Sequence, residues 1–413
     1  MELKKTLKTY DIFFIGLGYI VGAGIYSLLY LITKEAKGYT WISFLIGGII
    51  CILTALSYSD LNNHFNSAAA DYDYITVGLT GNRFKLLVGL FVSAIEILML
   101  ITLCLAFSNI LKKMYKSISY NLILFLVIAI PTLINIYNVK TTSNVNIGIS
   151  ILETGTLLLL IFLSFYKNPF KIKDIVAPKN QISKFSWNGI MHGAFISVFA
   201  YAGFETIPKL ADDTIESRKN ISRGMIYSLS AAIVIYILVS ISVNNTLGSN
   251  NVGTIINPIT ETFNILLGKG SNNIINIITL FSIFNTILLT ILFSSRQIYG
   301  IAKRDIIPKI FKNVNKTTNT PIYSILIVSI IALTICFFTN INVSAYLSNT
   351  ILLILFILIN MSSIILAYKG DMNVNGFNFS KNNNKKKGNI SIYSCLGLIT
   401  SIVVLIKSLE NFF

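Results

Sequence analysis

Long apolar runs dominate this chain, separated by shorter connections rich in Asn, Lys, Ser and Thr. About 20 helical residues, rising roughly 1.5 Å each, cross the ~30 Å hydrocarbon core of a bilayer. Eleven runs reach or approach that length: 11–33, 39–61, 85–111, 120–139, 143–166, 188–210, 225–247, 272–301, 321–340, 342–368 and 390–409. A membrane β-barrel would instead show segments of about ten residues with alternating hydrophobicity. The pattern therefore predicts an all-α polytopic membrane protein.

Two of these runs carry their own helix breakers. The first contains Ile15-Gly16-Leu17-Gly18-Tyr19-Ile20-Val21-Gly22-Ala23-Gly24-Ile25-Tyr26-Ser27, with two glycines and an alanine at its centre. Glycine holds a helix poorly and lets another backbone come close. Inside a bilayer, freed backbone amides persist only where protein or a ligand satisfies them. Close helix packing through small residues explains one such cluster equally well. The sixth run, however, contains a second interruption, Phe199-Ala200-Tyr201-Ala202-Gly203-Phe204-Glu205. Run one opens the first five spans and run six opens the next five. Paired interruptions at matching places in two halves point to an inverted-repeat secondary transporter with its site near the midplane.

Composition sharpens the class. The 413 residues are 54% hydrophobic and only 12% charged, about half the charged fraction of soluble proteins. Mean hydropathy is +0.71. The net charge of +16 is that of lysine-rich loops rather than of a nucleic-acid-binding face. With the N-terminus cytoplasmic, about 20 Lys/Arg fall on the cytoplasmic side and about 12 outside. The stretches 303–316 and 381–387 carry much of that bias, and the latter reads as an anchor beside anionic lipid. Lys112, Lys113, Lys116 and the lysines between 167 and 184 run against it. Cys51, Cys104, Cys336 and Cys395 all lie in apolar runs, and His64 and His192 stand alone, so neither a disulfide framework nor a metal site is indicated. No P-loop and no nucleophile–base–orienter set emerges, so no enzyme and no cofactor is expected; a proton or sodium gradient, or exchange, is left to drive transport.

The motifs resemble those of the amino acid–polyamine–organocation (APC) transporter superfamily, and of its amino acid permeases. Residues 18–26 resemble that family's first-helix signature, and residues 199–205 its sixth-helix signature. Tyr58-Ser59-Asp60-Leu61, Phe65 and Tyr72-Asp73-Tyr74 are similar to its second-to-third-helix connection, and 135–140 to its fourth-to-fifth. Ser295-Arg296, Tyr299, Ala302-Lys303-Arg304-Asp305, Pro308 and Thr320-Pro321 track the end of helix eight and its loop. The likeness runs from about residue 8 to 370. Asn66 and Ala69-Ala70 depart from the usual Pro and Gly-Gly, Glu216-Ser217 replaces an Asn-Pro, and eleven helices stand where many members have twelve.

The resemblance implies a five-plus-five inverted-repeat, LeuT-like fold with helices 1 and 6 broken. It divides the chain into a cytoplasmic N-terminus (1–10), a first repeat (11–166), an extracellular loop (167–187), a second repeat (188–368), a cytoplasmic basic linker (369–389) and one additional helix (390–413). It implies that an amino acid's carboxylate meets backbone N–H groups of Gly22, Ala23, Gly24 and Ile25, with Ile20 and Val21 lining the entry. A half-helix N-terminus supplies such donors and a positive dipole end. Carbonyls of Phe199, Ala200 and Ala202 would take the ammonium, Gly203 would permit the unwound backbone beside Tyr201, and Phe204 would close over the substrate. Glu96 and Glu153 lie mid-span, where a carboxylate is costly and usually functional. Either is a candidate proton site, and Glu96 is alternatively a partner for a cationic substrate side chain. Where Glu153 stands, many members carry a lysine. Ser294 and Ser295 are the hydroxyl candidates for a competing sodium site. Asp212, Asp213 and Glu216 face Arg218, Lys219 and Arg223 in one cytoplasmic loop, which reads as a solvated mixed-charge loop, with a gate network as the alternative. The expected activity is amino acid transport across the plasma membrane by alternating access. Polyamine or organic-cation transport, and a sensor that binds without flux, are the alternatives. The expected partners are a small amino acid and membrane lipid, with no nucleic acid.

Overall fold

The computed structural model describes residues 3–81, 83–168, 186–248, 252–255, 257–268, 270–372, 377–378 and 389–410. The basic cluster 381–387 and nearly all of the 167–187 connection lie outside the described residues. Apart from a two-residue pairing of Phe377–Asn378 with Asn389–Ile390, the regular elements among the described residues are helical. In chain order they are α1 (Thr9–Ala36), α2 (Thr40–His64), α3 (Ala70–Ile75), α4 (Lys85–Met114), α5 (Tyr120–Tyr137), α6 (Val139–Lys167) and α7 (Trp187–Ala200). A 3-10 segment, Phe204–Asp213, continues α7, and then come α8 (Ser217–Leu247), α9 (Pro258–Leu267), α10 (Ser271–Lys303), α11 (Ile322–Cys336), α12 (Ile341–Lys369) and α13 (Ile392–Glu410).

Among the described residues, nine helical stretches are long and apolar enough to cross a membrane, and Ile322–Cys336 and Ile392–Ile406 are shorter apolar helices. Each of the eleven expected runs overlaps one of these. Boundaries moved where a polar residue proved to be a cap rather than a loop. α6 begins at Val139, not 143, because the Asn138 side chain accepts from the Thr141 N–H at 2.7 Å. An N-cap of this kind satisfies one of the orphan amides of the first turn. Ser186 caps α7 in the same way through Gly189, and Asn340 caps α12 through Val343. Hydrophobicity alone passed over the short helices α3 and α9, which do not span.

Burial separates the centre from the rim. The stretches Ser271–Lys303 and Trp187–Asp213 are 78% and 72% buried, against 39% for both Tyr120–Tyr137 and Val139–Lys167. The rim helices turn Leu133, Leu158, Phe162 and Tyr166 outward, where lipid replaces water as solvent. α1 packs on α7, α8, α6 and α10, so both interrupted runs lie inside the bundle. The last helix, α13, docks on α2 and α12 through a polar seam: Ser394 Oγ lies 2.8 Å from Ser57 Oγ and 2.9 Å from Ser363 Oγ. Tyr393 donates to Asp60 beside it. Hydroxyl glue of this kind replaces the hydrophobic drive that is missing between helices in lipid.

The end of the bundle that holds the N-terminus is sealed by ion pairs. Arg296 and Asp213 form a bidentate pair at 2.7 and 3.2 Å, with both side chains at most 1% exposed. Lys140 pairs with Asp11 at 2.5 Å, Arg304 with Asp73 at 2.6 Å and Lys303 with Asp212 at 3.0 Å. Asp73 accepts both hydrogen bonds of the Arg304 fork and thereby raises that guanidinium's already high pKa. Ahead of α1, the Thr6 and Leu7 N–H groups donate to the Asp213 carbonyl, and Ile215 N–H donates to Leu7 O. Leu7 is fully buried under this strap. Asp212 and Asp213 therefore do not face the loop cations Arg218, Lys219 and Arg223 in a solvated loop, as expected. They reach back to α10: Asp213 is turned inward to Arg296, while Asp212 stays partly exposed beside Lys303.

Candidate binding site at the two helix breaks

Both interruptions are real breaks in the backbone. Gly22 has φ −34° and ψ −107°, outside the helical region, between two helical stretches of α1. α7 stops at Ala200, and Gly203 takes φ +123° before the 3-10 segment begins. A side chain at that φ would be strained, and a Cβ there would meet Tyr19 Cδ1 at 2.0 Å. The breaks meet each other at Gly24: a Cβ on Gly24 would lie 2.4 Å from the Ala200 carbonyl oxygen and 2.9 Å from the Tyr236 hydroxyl. Only glycine lets these two segments approach so closely.

Tyr236, on α8, staples the breaks together. Its hydroxyl donates to Ile20 O at 2.6 Å and lies 3.2 Å from Ala200 O. Its ring stacks on Tyr201 at 4.9 Å between centroids and meets Phe44 edge-on. No motif marked this residue; it is one apolar-looking position in a long run, and only the fold brings it between the breaks. We expect Tyr236→Phe to keep the ring packing and lose both carbonyl contacts. That costs about 1–3 kcal/mol for buried acceptors left unmet, read as lower thermal stability and slower uptake in liposomes. Unchanged values in both would show that the hydroxyl holds nothing.

A cavity of about 180 Å³ opens between the breaks. Tyr19, Ile20, Gly24 and Leu28 of α1 form one wall, and Phe199, Ala200 and Ala202 of α7 and its turn another. Met99, Thr102, Leu103 and Ala106 of α4, Thr286 of α10 and Ile341 of α12 complete it. It extends toward the side of the bundle opposite the ion-pair seal. Of the residues the sequence singled out, Ile20, Gly24, Phe199, Ala200 and Ala202 therefore line one cavity, from its two facing walls. Val21 and Ile25 are fully buried in the packing of α1 instead. Ala23 follows the break in helical backbone. The Tyr201 hydroxyl donates to Phe44 O.

One expectation is corrected. Phe204 does not close over the cavity: it is fully buried, edge-on to Tyr58 at 6.2 Å and tilted against Phe356 at 5.4 Å. The turn at Gly203 swings it away from the lining. The carbonyls of the second break are partly engaged, with Phe199 O accepting from Ala202 N–H and Ala200 O facing Tyr236. Glu96, the candidate proton site or partner for a cationic substrate side chain, is already ion-paired. It accepts from Lys209 Nζ, which also lies 2.8 Å from Asp71 Oδ2, and all three side chains are at most 1% exposed. Tyr58 donates to Asp71 Oδ1 at 2.9 Å. Lys209 escaped notice because it sits at the end of a run, where lysine reads as an interfacial anchor; the 3-10 segment turns it inward.

Glu153 faces the first break. Ser282 Oγ lies 2.8 Å from Gly22 O and 2.5 Å from Glu153 Oε2, and Glu153 Oε1 has no hydrogen-bond partner among the described residues. A hydroxyl has one proton to donate, so Ser282 can serve Gly22 only when the proton between it and Glu153 comes from the carboxyl. Ser294 and Ser295 each donate to a carbonyl of their own helix, Thr290 O and Leu292 O. They are brought neither to Gly22 nor to the cavity wall. No group of three or more His, Cys, Asp or Glu able to hold a metal occurs among the described residues.

Known proteins agree with this architecture. The profile of the Amino acid permease family matches residues 7–409. The chain is 23% identical over 394 residues to a methylthioribose transporter of Bacillus subtilis (strain 168), covering 89% of this chain and 82% of that protein. It is 25% identical to cationic amino acid transporter 5 of Arabidopsis thaliana, covering 89% of this chain and 66% of the relative. It is 20% identical to the branched-chain amino acid permease BcaP of Bacillus subtilis (strain 168), covering 78% and 72%. The chain spans less than two thirds of the length of several plant relatives that it matches. The broken helices, the cavity between them and the nearly full-length family match lead to one assignment: this chain is an APC-superfamily amino acid permease, a multi-pass membrane transport protein of the LeuT-like fold.

Proposed function

We propose that the protein is a secondary active transporter of amino acids that works by alternating access, with substrate held between the two breaks. The observation that carries this reading is the meeting of Gly24 with the Ala200 carbonyl beside the cavity. The half-helix beginning after Gly22 presents amide donors and a positive dipole end to the α-carboxylate. Carbonyls at the second break, among them that of Ala202, take the ammonium. The ion-pair seal and the strap through Leu7 close one side while the cavity lies toward the other. We assign the sealed side to the cytoplasm, where a plasma-membrane permease would keep its N-terminus. The halves 11–166 and 188–368 act as the two repeats that rock against each other.

Coupling is assigned to a proton on Glu153. With the carboxyl protonated, it donates to Ser282, which in turn donates to the Gly22 carbonyl and holds the break in its present geometry. With the proton gone, the carboxylate accepts the Ser282 hydrogen bond, and the Gly22 carbonyl loses its donor. Protonation of one buried group thus alters the backbone that binds substrate. Sodium coupling draws no support from Ser294 and Ser295, whose hydroxyls are directed along their own helix.

Uptake of labelled amino acids into proteoliposomes, with and without an imposed proton or sodium gradient, tests the reading. Uptake driven by a proton gradient is expected. Ligand-dependent stabilisation with no flux would move the assignment to a sensor. Glu153→Gln and Ser282→Ala are each expected to flatten the pH dependence of uptake. Retention of the wild-type pH profile by both would remove Glu153 from the coupling mechanism.

A further inference from the structure

Three buried charged groups behind the cavity wall, Glu96, Lys209 and Asp71, are committed to one another, while Glu205 accepts from the Gly203 N–H and Glu153 meets Ser282. Glu96 lies one turn before Met99 on α4, and Met99 lines the cavity. Its carboxylate accepts from Lys209. The same ammonium meets Asp71, whose other oxygen accepts from Tyr58. What remains on the wall is aliphatic, aromatic or thioether: Leu28, Met99, Leu103, Ala106, Phe199 and Ile341. The hydroxyls of Thr102 and Thr286 donate to carbonyls of their own helices, Leu98 O at 2.9 Å and Ser282 O at 3.0 Å. Among the described residues, no Asp, Glu, Lys or Arg lines this cavity.

A cationic side chain entering such a wall gives up its water with no carboxylate on the wall to receive it, whereas an apolar one gains by burial. We propose that Lys209 stands where a substrate cation would otherwise be. By holding Glu96 and Asp71 internally, it makes the cavity select amino acids with apolar side chains, of the leucine or methionine type, and reject lysine, ornithine and arginine. This rests on the cavity being the substrate site, as proposed above, and it departs from what the names of the plant relatives would transfer. Lys209 is a positioning and charge-balancing residue here, acting through Glu96 rather than by contact with substrate.

The test is competition for uptake in proteoliposomes of the full chain, with leucine, methionine, alanine, lysine, ornithine and arginine as competitors. In the wild type, leucine or methionine is expected to compete at least about tenfold better than any cationic amino acid, a free-energy difference of one factor of ten in affinity. Preference for lysine or arginine would overturn the inference while leaving the transport reading intact. Absence of uptake and of stabilisation by every amino acid would overturn the transport reading itself. Lys209→Met frees Glu96 and is expected to move the lysine-to-leucine ratio toward lysine by about tenfold or more. Adding Glu96→Gln together with Asp71→Asn, which removes both freed charges, is expected to restore the apolar preference. A folded Lys209→Met variant with the wild-type ratio would overturn the role of Lys209. If that variant does not fold, the wild-type competition still decides the substrate class.

Discussion

Gly24→Leu is expected to abolish uptake, by about 100-fold or more, equivalent to a loss of roughly 2.7 kcal/mol. Leucine is a good helix former and lipid-compatible, so propensity and hydrophobicity both favour the change. The cost is steric. Even the first carbon of the new side chain would lie 2.4 Å from a backbone carbonyl oxygen, and the Tyr236 hydroxyl at 2.9 Å blocks the adjoining direction. A backbone carbonyl cannot rotate away as a side chain can, so the two broken helices must part. Overpacking of this kind costs about 1–3 kcal/mol in a packed core. The functional loss is larger, because Gly24 and Ala200 both line the cavity and the separation of the breaks sets its shape. Gly148→Ala and Gly155→Ala provide the control. A Cβ at either position meets nothing within 4 Å, and both variants are expected to transport normally. Wild-type uptake by a folded Gly24→Leu protein would show that the breaks need not touch during the cycle.

The second large effect belongs to the seal. Arg296→Met leaves Asp213 buried without its bidentate partner, and removing one member of a buried pair costs about 3–5 kcal/mol. Asp213 is also tied into the strap, since its carbonyl accepts from both Thr6 and Leu7. Loss of Arg296 therefore loosens the cover over the N-terminal side as well as one ion pair. We expect a marked drop in thermal stability and uptake reduced at least about tenfold, because closure of that side no longer competes with opening. Arg296→Met combined with Asp213→Asn removes both charges and is expected to recover most of the stability, as replacing a buried pair outright commonly does. It is not expected to recover transport, since the uncharged pair lacks the attraction that recloses the seal. If the single variant matched wild type in stability and uptake, Arg296 and Asp213 would not belong to the gate.

The exposed Lys303–Asp212 and Lys312–Asp305 pairs differ from Arg296–Asp213 in kind. Lys312 holds the Asp305 carboxyl below its ordinary range, but water surrounds that pair and screens it. Burial, not the number of ion pairs, makes Arg296 the residue to change.

Much of the fold can be read from local pattern, because lipid imposes a length and polarity rule on every span independently of its neighbours. That rule made the eleven apolar runs visible, and the glycines at 22, 24 and 203 betrayed the breaks because no other residue tolerates those positions. Family likeness also places Ile20, Ala200 and Ala202 around one site. What stayed hidden depended on rotation and on contacts between distant segments. Tyr236 is 216 residues from Ile20, and Lys209 is 113 from Glu96. Phe204 follows a motif but faces Tyr58 and Phe356, because one positive-φ glycine reorients all that comes after it.

By itself, then, the sequence determined the membrane class, the helical spans, the positions of both interruptions and the family. Each of these follows from local hydrophobicity, backbone freedom or a contiguous motif. Only the tertiary structure decided which buried charges are neutralised, which hydroxyl joins the breaks and which side of the bundle is sealed. Those are properties of pairs of residues, and the polarity of a single position does not say which partner a folded chain brings within 3 Å of it.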